Sequence, residues 1–304
     1  MVKVTLLGTG ATMPVPGRAL TAMALSCRGR TILFDCGEGT QLALRRYHAS
    51  PARIDLIALT HYHGDHIFGL PGLLQTIGCL GRTEPLYLAG PEGLERTMGP
   101  ILALAGPMPF EIRGLRLEGS GVDLPAVHPA FPRGSTLSAV PTEHRVPSQG
   151  YAFRLRRAGR FDPERAKNLG VPVHDWSRLQ SGETVGRVKP EQVLGPERPG
   201  LSVVFSGDTR PCKALEQAAS GADLLVHEAT YADSGDTEAA ALWGHTTFPE
   251  AAGLAQRAGA KRLWLTHFSQ TIADPAARLP EAQAIFPTAE APADGTTIQL
   301  QFPD

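Results

Sequence analysis

The sequence has few cysteines, and none of them form a Cys-x-x-Cys pair. Cys27, Cys36, Cys79 and Cys212 are its only four, scattered through 304 residues. That spacing argues against a disulfide framework and for reduced, mostly buried thiols. Long apolar runs are also missing. The opening "MVKVTLLGTGATMP" is interrupted by Gly and Pro too early for a signal segment, and no later run would span a bilayer. Together these absences predict a cytoplasmic protein with no membrane partner. Surplus charge is lacking too: the net charge is -1, which neither favours nor excludes an anionic partner. A dinucleotide fingerprint is incomplete. Gly8 and Gly10 fit it, but Met13 stands at the third glycine position and Pro14 intervenes before any helix. No nucleotide cofactor is therefore expected. The chain contains neither a repeat of solenoid length nor a low-complexity tract.

What is present is ordinary globular material, 42% hydrophobic and 19% charged, enough for a sizeable core. Short β-branched and leucine-rich runs read as strands: "VKVTLLG", "TILFD", "IDLIALT", "LSAVPT", "LSVVFSG", "ADLLVH", "KRLWLT" and "TTIQLQF". Stretches such as "GEGTQLALRRYH", "GLPGLLQTIGCL", "GLERTMGPILALAG" and "TFPEAAGLAQRAGA" read as helices between them. The mixture predicts two sheets packed together with helices outside, an α/β layered fold. Residues 151–200, punctuated by Pro and Gly and weak in periodicity, read as an insertion or extended loop system.

The histidines and acids fall where strands end. "IDLIALT" is followed by His61, "LSAVPTE" by His144, "LSVVFSG" by Asp208, "ADLLV" by His227 and Glu228, and "KRLWLT" by His267. Strand ends are where layered α/β folds assemble their sites. The stretch "LTHYHGDHIFGLPGLL" crowds His61, His63, Asp65 and His66 against apolar sequence, where unpaired polar groups would be costly to desolvate. A lone histidine is most often a hydrogen-bonded structural one; five strand ends behind a four-residue cluster point to metal instead. His61 and His63 project to one side of an extended segment. Gly64 then permits a turn that brings Asp65 and His66 toward a second position. Imidazole with carboxylate suits zinc, with iron and manganese also compatible with these ligand types.

His-x-His-x-Asp-His after a strand resembles the signature of the metallo-β-lactamase superfamily, whose fold is an αββα four-layer sandwich of two mixed β-sheets. Further stretches narrow the match: "LFDCGEGTQ" (33–41), "GDHIFGLPGLL" (64–74), "EHRVPSQGYAFRL" (143–155), "SGDTRPC" (206–212), "VHEATY" (226–231) and "GHTTFPEAAGLA" (244–255) resemble the ribonuclease Z family. The similarity runs over nearly the whole chain in motif order. It implies a single domain over 1–304 and a zinc-dependent endoribonuclease that removes the 3′ trailer from precursor tRNA, leaving a 3′-hydroxyl. The length resembles the short form, which implies a homodimer.

Residue by residue, the resemblance implies that His61, His63 and His144 hold one zinc and that Asp65, His66 and His267 hold a second. Asp208 would bridge the two. Asp65 would also accept a proton from the attacking water. Glu228, from a His-Glu-Ala-Thr motif, would orient His245 as the acid for the leaving oxygen. His245 lies in "HTT", where the family has His-Ser-Thr. The bland alternatives are a turn-capping carboxylate for Glu228 and a helix-start histidine for His245. His227 reads as structural or as a support behind the ligands, and His48, His128 and His174 as surface residues. The chain departs from the family in three places. It reads "HFSQTI" where an Arg-Tyr pair usually follows His267, "GVPVHDWSRLQSG" where a Gly-Pro pair is frequent, and Ala19 where Asn is common.

Charge is unevenly divided. Residues 151–200 carry ten basic and six acidic groups, a balance of +4 that leaves -5 on the remainder. This segment matches the family's tRNA-gripping arm, so Arg156, Arg157, Arg160, Arg165 and Lys167 are the expected RNA contacts. A solvated loop with chance excess charge is the competing reading. Two other functions compete with tRNA processing: a small-molecule phosphodiesterase or acyl or lactone hydrolase of the same superfamily, and a metal-bearing scaffold without turnover. The "HEAT" and "HTT" stretches and the basic arm argue against acyl hydrolysis, which needs neither.

Overall fold

In a computed structural model, which describes residues 1–117 and 121–303, the chain forms two seven-stranded sheets. The first is laid down by β1 (Val2–Gly8), β2 (Ala22–Cys27), β3 (Arg30–Phe34), β4 (Ile54–Ala58), β5 (Leu86–Ala89) and β6 (Ile112–Leu115) in sequential order. The second takes β7 (Val122–Asp123), β8 (Ser135–Pro141), β9 (Gln149–Arg157), β10 (Arg198–Phe205), β11 (Leu224–Glu228), β12 (Leu263–Thr266) and β13 (Ala289–Glu290), again in order. The last strand, β14 (Thr297–Leu300), returns to the first sheet beside β1. Both sheets are mixed: β3 to β6 are parallel to one another, as are β10 to β13.

Period-two alternation explains the layering. Val2, Val4 and Leu6 of β1, Ile32 and Phe34 of β3, Leu56 and Ala58 of β4, Val226 of β11 and Trp264 of β12 face the space between the sheets. The residues in between, such as Leu33, Ile57, Leu225 and Leu263, face outward, yet they too are buried. Strands buried on both faces read as continuous apolar runs, as "TILF" and "IDLIA" do. Phe34 joins the sheets, its ring centroid 5.7 Å from Tyr151 and 5.6 Å from Phe205. Truncating a buried phenylalanine of this kind costs about 3–5 kcal/mol.

Helices cover both outer faces. α1 (Thr40–Arg46), α2 (Gly64–Ile67), α3 (Leu70–Cys79) and α4 (Leu94–Ala105) lie on the first sheet, where Leu44, Leu70, Leu73, Leu74, Ile77 and Ile101 meet Leu33 and Ile57. α5 (Leu124–Val127) is one turn before β8, and α6 (Pro163–Asn168) and α7 (Trp176–Gln180) lie between β9 and β10. On the second sheet, α8 (Lys213–Ala218), α9 (Thr237–Trp243), α10 (Phe248–Ala258) and α11 (Pro280–Ile285) complete the αββα sandwich. α10 begins with a capping box, Thr247 and Glu250 satisfying each other's backbone amides. Among the described residues no helix is long and apolar enough to cross a membrane. All four cysteines are unpaired, and only Cys79 is exposed.

One boundary moves. The stretch 151–200, expected to be irregular throughout, is strand at both ends, with Arg157 of β9 opposite Arg198 of β10. Only residues 158–197 leave the sheet. In "YAFRLRR", buried Tyr151, Phe153 and Leu155 alternate with exposed Arg154 and Arg156, a two-residue period hidden by the Pro and Gly that follow. The excursion has its own small core of Ala166, Val171, Leu179 and Val193 under Phe161 and Trp176.

Candidate metal centre

β4, β8, β10, β11 and β12 all direct their C-terminal ends to one edge of the sandwich, and the loops that follow carry the site. The two sheets are stitched there: the Tyr151 hydroxyl donates to Leu59 O at 2.6 Å and the Gln149 amide to Thr60 O at 2.9 Å. Gly207 lets the strand ends come so close. It adopts φ +59°, and a Cβ there would lie 2.6 Å from the Thr60 side chain.

Two groups of ligand atoms meet at this edge. His61, His63, His144 and Asp208 form one, and Asp65, His66 and His267 the other, each with its ligand atoms within 4.8 Å of one another. His61 Nε2 lies 2.8 Å from His63 Nδ1, and the His61 and His63 rings are 5.0 and 5.3 Å from that of His144. In the second group His66 Nε2 is 3.2 Å from His267 Nε2, and Asp65 Oδ2 is 3.4 Å from the latter. Asp208 faces both, with Oδ2 3.7 Å from His61 Nε2 and 3.4 Å from His66 Nε2, and Oδ1 3.3 Å from His267 Nε2. All seven expected ligands are thus brought together. The turn after His63 is the first turn of α2, with His63 as its cap, so Gly64 acts by starting a helix.

The remaining nitrogens are held from behind. His61 Nδ1 donates to Thr60 Oγ1 (3.1 Å), His66 Nδ1 to Asp35 Oδ2 (2.8 Å), His144 Nδ1 to Gly244 O (2.8 Å) and His267 Nδ1 to Thr230 Oγ1 (2.9 Å). Each of these bonds fixes the tautomer that turns Nε2 inward, the outer-sphere support a metal-binding imidazole needs. His144 Nε2 and Asp208 Oδ1 are buried without a hydrogen-bond partner. Two buried orphans among convergent imidazoles and carboxylates suit a divalent cation. Burial opposes ionisation of Asp208, but His267, His66 and His61 outweigh it and hold its carboxyl well below the usual range. Asp65 behaves alike: burial opposes its ionisation, and the His267 hydrogen bond and His66 reverse the effect. Burial and the neighbouring His66 push His61 toward the neutral form that ligation requires.

Beside this centre stands an acid–imidazole pair. Glu228, at the end of β11, is 1% exposed and accepts from the amides of Thr209 (3.1 Å) and Thr230 (3.0 Å) and from the Thr230 hydroxyl (2.8 Å). Its Oε1 also accepts from His245 Nδ1 at 2.8 Å. Burial alone would lower the His245 pKa; Glu228 overrides it and raises the value to about 9. Glu228 thus receives turn amides as a capping carboxylate would, but it is buried and also holds His245, a contact that neither the turn-cap nor the helix-start alternative requires. His227 alternates to the other face of β11, where its Nδ1 donates to Glu228 O and its Nε2 is buried without a hydrogen-bond partner.

Asp35 and the amide of Thr12 were not singled out in the sequence. Asp35 directly follows β3, so the strand-end pattern that exposed the other residues applies to it as well. Its carboxylate receives the Thr60 amide (2.8 Å), the Thr60 hydroxyl (2.9 Å) and His66. The Thr12 amide donates to Asp65 Oδ2 at 2.7 Å, a contact across 53 residues that carries no local signal. Thr12, Asp35 and His267 all adopt left-handed φ, at 59°, 54° and 59°. Such backbone costs about 1–3 kcal/mol per residue and tends to collect at functional sites.

The expected RNA contacts fare unevenly. Arg156 forms a two-pronged pair with Glu197 (2.7 Å), Arg165 pairs with Asp162 (3.2 Å) and Lys167 with Glu164 (3.0 Å). These pairs neutralise part of the excess positive charge of the stretch 151–200. Arg157 stacks on Phe302 at 5.0 Å and bonds Pro303 O, and Arg198 is depressed by burial and by the like charges of Arg157 and Arg160. Among the described residues, the basic groups of this stretch outside any ion pair are Arg154, Arg157, Arg160, Arg187, Lys189 and Arg198.

The chain is similar to known proteins over nearly its whole length. A family model for the beta-lactamase superfamily domain matches residues 30–268. The ribonuclease Z of Lachnoclostridium phytofermentans is 40% identical, with 99% of each chain covered. That of Myxococcus xanthus is 40% identical over 100% of this chain and 99% of its own. Among solved structures, human tRNase Z, short form, superposes with a TM-score of 0.69 at 28% identity, covering 99% of this chain and 100% of that one. The chain belongs to the ribonuclease Z family of the beta-lactamase superfamily.

Proposed function

We propose that the chain is a binuclear zinc endoribonuclease that removes the 3′ trailer from precursor tRNA by hydrolysis and leaves a 3′-hydroxyl on the tRNA. The observation that carries this reading is the placement of the Glu228–His245 pair beside two ligand groups that share Asp208. Acyl hydrolysis has no need of such a proton donor. Full-length similarity to proteins named ribonuclease Z supports the substrate class.

His61, His63 and His144 would hold one zinc, and Asp65, His66 and His267 the other, with Asp208 between them. When bound, the pair supplies positive charge for the phosphodiester and lowers the pKa of water to roughly 7. Asp65, aligned by the Thr12 amide, accepts the proton released as water attacks phosphorus. His245, kept protonated by Glu228, gives its proton to the departing 3′ oxygen. A P–O bond to the attacking oxygen forms and the P–O3′ bond breaks. The products are a tRNA 3′-hydroxyl and a trailer with a 5′-phosphate.

The excursion 158–197 would grip the substrate away from the centre, chiefly through its unpaired Arg160, Arg187 and Lys189, with Arg157 and Arg198 flanking it. Arg156, Arg165 and Lys167 can join by exchanging a carboxylate for a phosphate, since exposed ion pairs of this kind contribute little. The reading includes a homodimer acting in the cytoplasm, tested by light scattering on the purified protein and by fractionation. The test of the activity is cleavage of a trailer-bearing precursor by wild-type protein and by Asp65→Ala. The variant should lose cleavage entirely; near-normal turnover would remove Asp65 from the chemistry.

A further inference from the structure

The rim of the centre carries a feature that the hydrolytic machinery does not use. α9 ends at Trp243, 51% exposed, after Leu242, 73% exposed. The Arg145 guanidinium lies over the indole, 4.6 Å from its centroid. Arg145 directly follows His144, and Trp243 lies two residues before His245. Gly244, between them, has φ +76°, and its carbonyl accepts from His144 Nδ1 at 2.8 Å. A Cβ at Gly244 would lie 2.9 Å from that same nitrogen. The indole is therefore bolted to the site through a glycine that no other residue can replace without moving His144.

A large aromatic face left in water, with a guanidinium stacked on it, matches what single-stranded nucleic acid uses. Every nucleobase presents a π-face, and aromatic side chains and arginine planes stack on it without demanding a particular base. The position selects the nucleotide. His245 serves the oxygen that departs, which under the reading above is the 3′ oxygen of the nucleotide 5′ to the cleaved bond. Trp243 is two residues from His245 in the chain, and Gly244 between them is bonded to His144.

We propose that Trp243 and Arg145 form a stacking platform for the nucleobase of the nucleotide whose 3′ oxygen leaves. The inference rests on the assignment of precursor tRNA as substrate. The platform registers an unpaired base at the cleavage position and tolerates its identity, which sets where the bond is cut without fixing the sequence.

The experiment compares kcat/KM for zinc-loaded wild type, Trp243→Ala and Trp243→Phe on two precursors, one intact and one with an abasic nucleotide immediately 5′ of the cleaved bond. Trp243→Ala should lose about 5- to 100-fold on the intact precursor, and Trp243→Phe should recover most of it. The abasic change should cost wild type a similar factor. Combining the two changes should add less than about twofold, because both remove one stack. An undiminished loss for Trp243→Ala on the abasic precursor would overturn the platform and leave the indole a structural part of α9. Coupling to an abasic first trailer nucleotide instead would overturn the assignment of the base. If wild type cuts neither precursor, the substrate assignment fails first and the platform falls with it.

Discussion

Glu228 Oε1 lies 2.8 Å from His245 Nδ1, a buried carboxylate beneath an imidazole that opens on the cleft. The contact makes His245 an acid across the neutral range, since its pKa rises from the ordinary 6.5 to about 9. A group with a raised pKa keeps its proton below that value and loses it as pH climbs through it, so a reaction needing protonated His245 declines on the alkaline side. Glu228→Gln removes the main influence raising the pKa, while burial, which lowers it, remains. The alkaline limb of kcat should move down by about two pH units, and kcat at pH 8 should fall on the order of 10- to 100-fold. A kcat–pH profile checks this, and an unmoved limb would separate Glu228 from the proton donor.

Asp35 tests the support behind the ligands. Asparagine tolerates the left-handed backbone at this position and keeps the shape, but cannot carry the charge that orients His66. Asp35→Asn should weaken zinc binding on the order of 10- to 100-fold, measured by competition with a chelator. Unchanged affinity would show that the fold alone holds the His66 imidazole.

The excursion between β9 and β10 can be removed cleanly because Arg157 and Arg198 are opposite each other in the ladder. Replacing 158–197 by Asn-Gly closes a two-residue hairpin. KM for precursor tRNA should rise more than about 10-fold, with kcat within about threefold and a weaker dependence on salt, as lost phosphate contacts require. A collapse of kcat with KM unchanged would mean that the excursion shapes the centre and does not hold RNA.

Legibility followed the range of the interaction. Strands buried on both faces announce themselves as apolar runs, and a ligand following each run is visible without tertiary knowledge, which is why His61, His144, Asp208, Glu228 and His267 could be named. Asp35 obeys the same rule, but what it does depends on its contact with His66, which only the folded chain displays. The Thr12 amide on Asp65 and the Gly244 carbonyl behind His144 are backbone groups, and no side-chain pattern encodes them. The basic arm was legible as charge but not as charge pairs. Arg156 meets Glu197 across 41 residues only because β9 and β10 lie side by side.

The central claim is that these seven side chains hold a pair of zinc ions that hydrolyse the trailer bond of precursor tRNA. Its most direct test is a zinc titration of the chelator-stripped chain, following trailer release and the chemical end left on the tRNA. Cleavage should rise from background to a plateau at two equivalents of zinc per chain and leave a 3′-hydroxyl. An uncut precursor at saturating zinc, or full cleavage before any zinc is added, would contradict it.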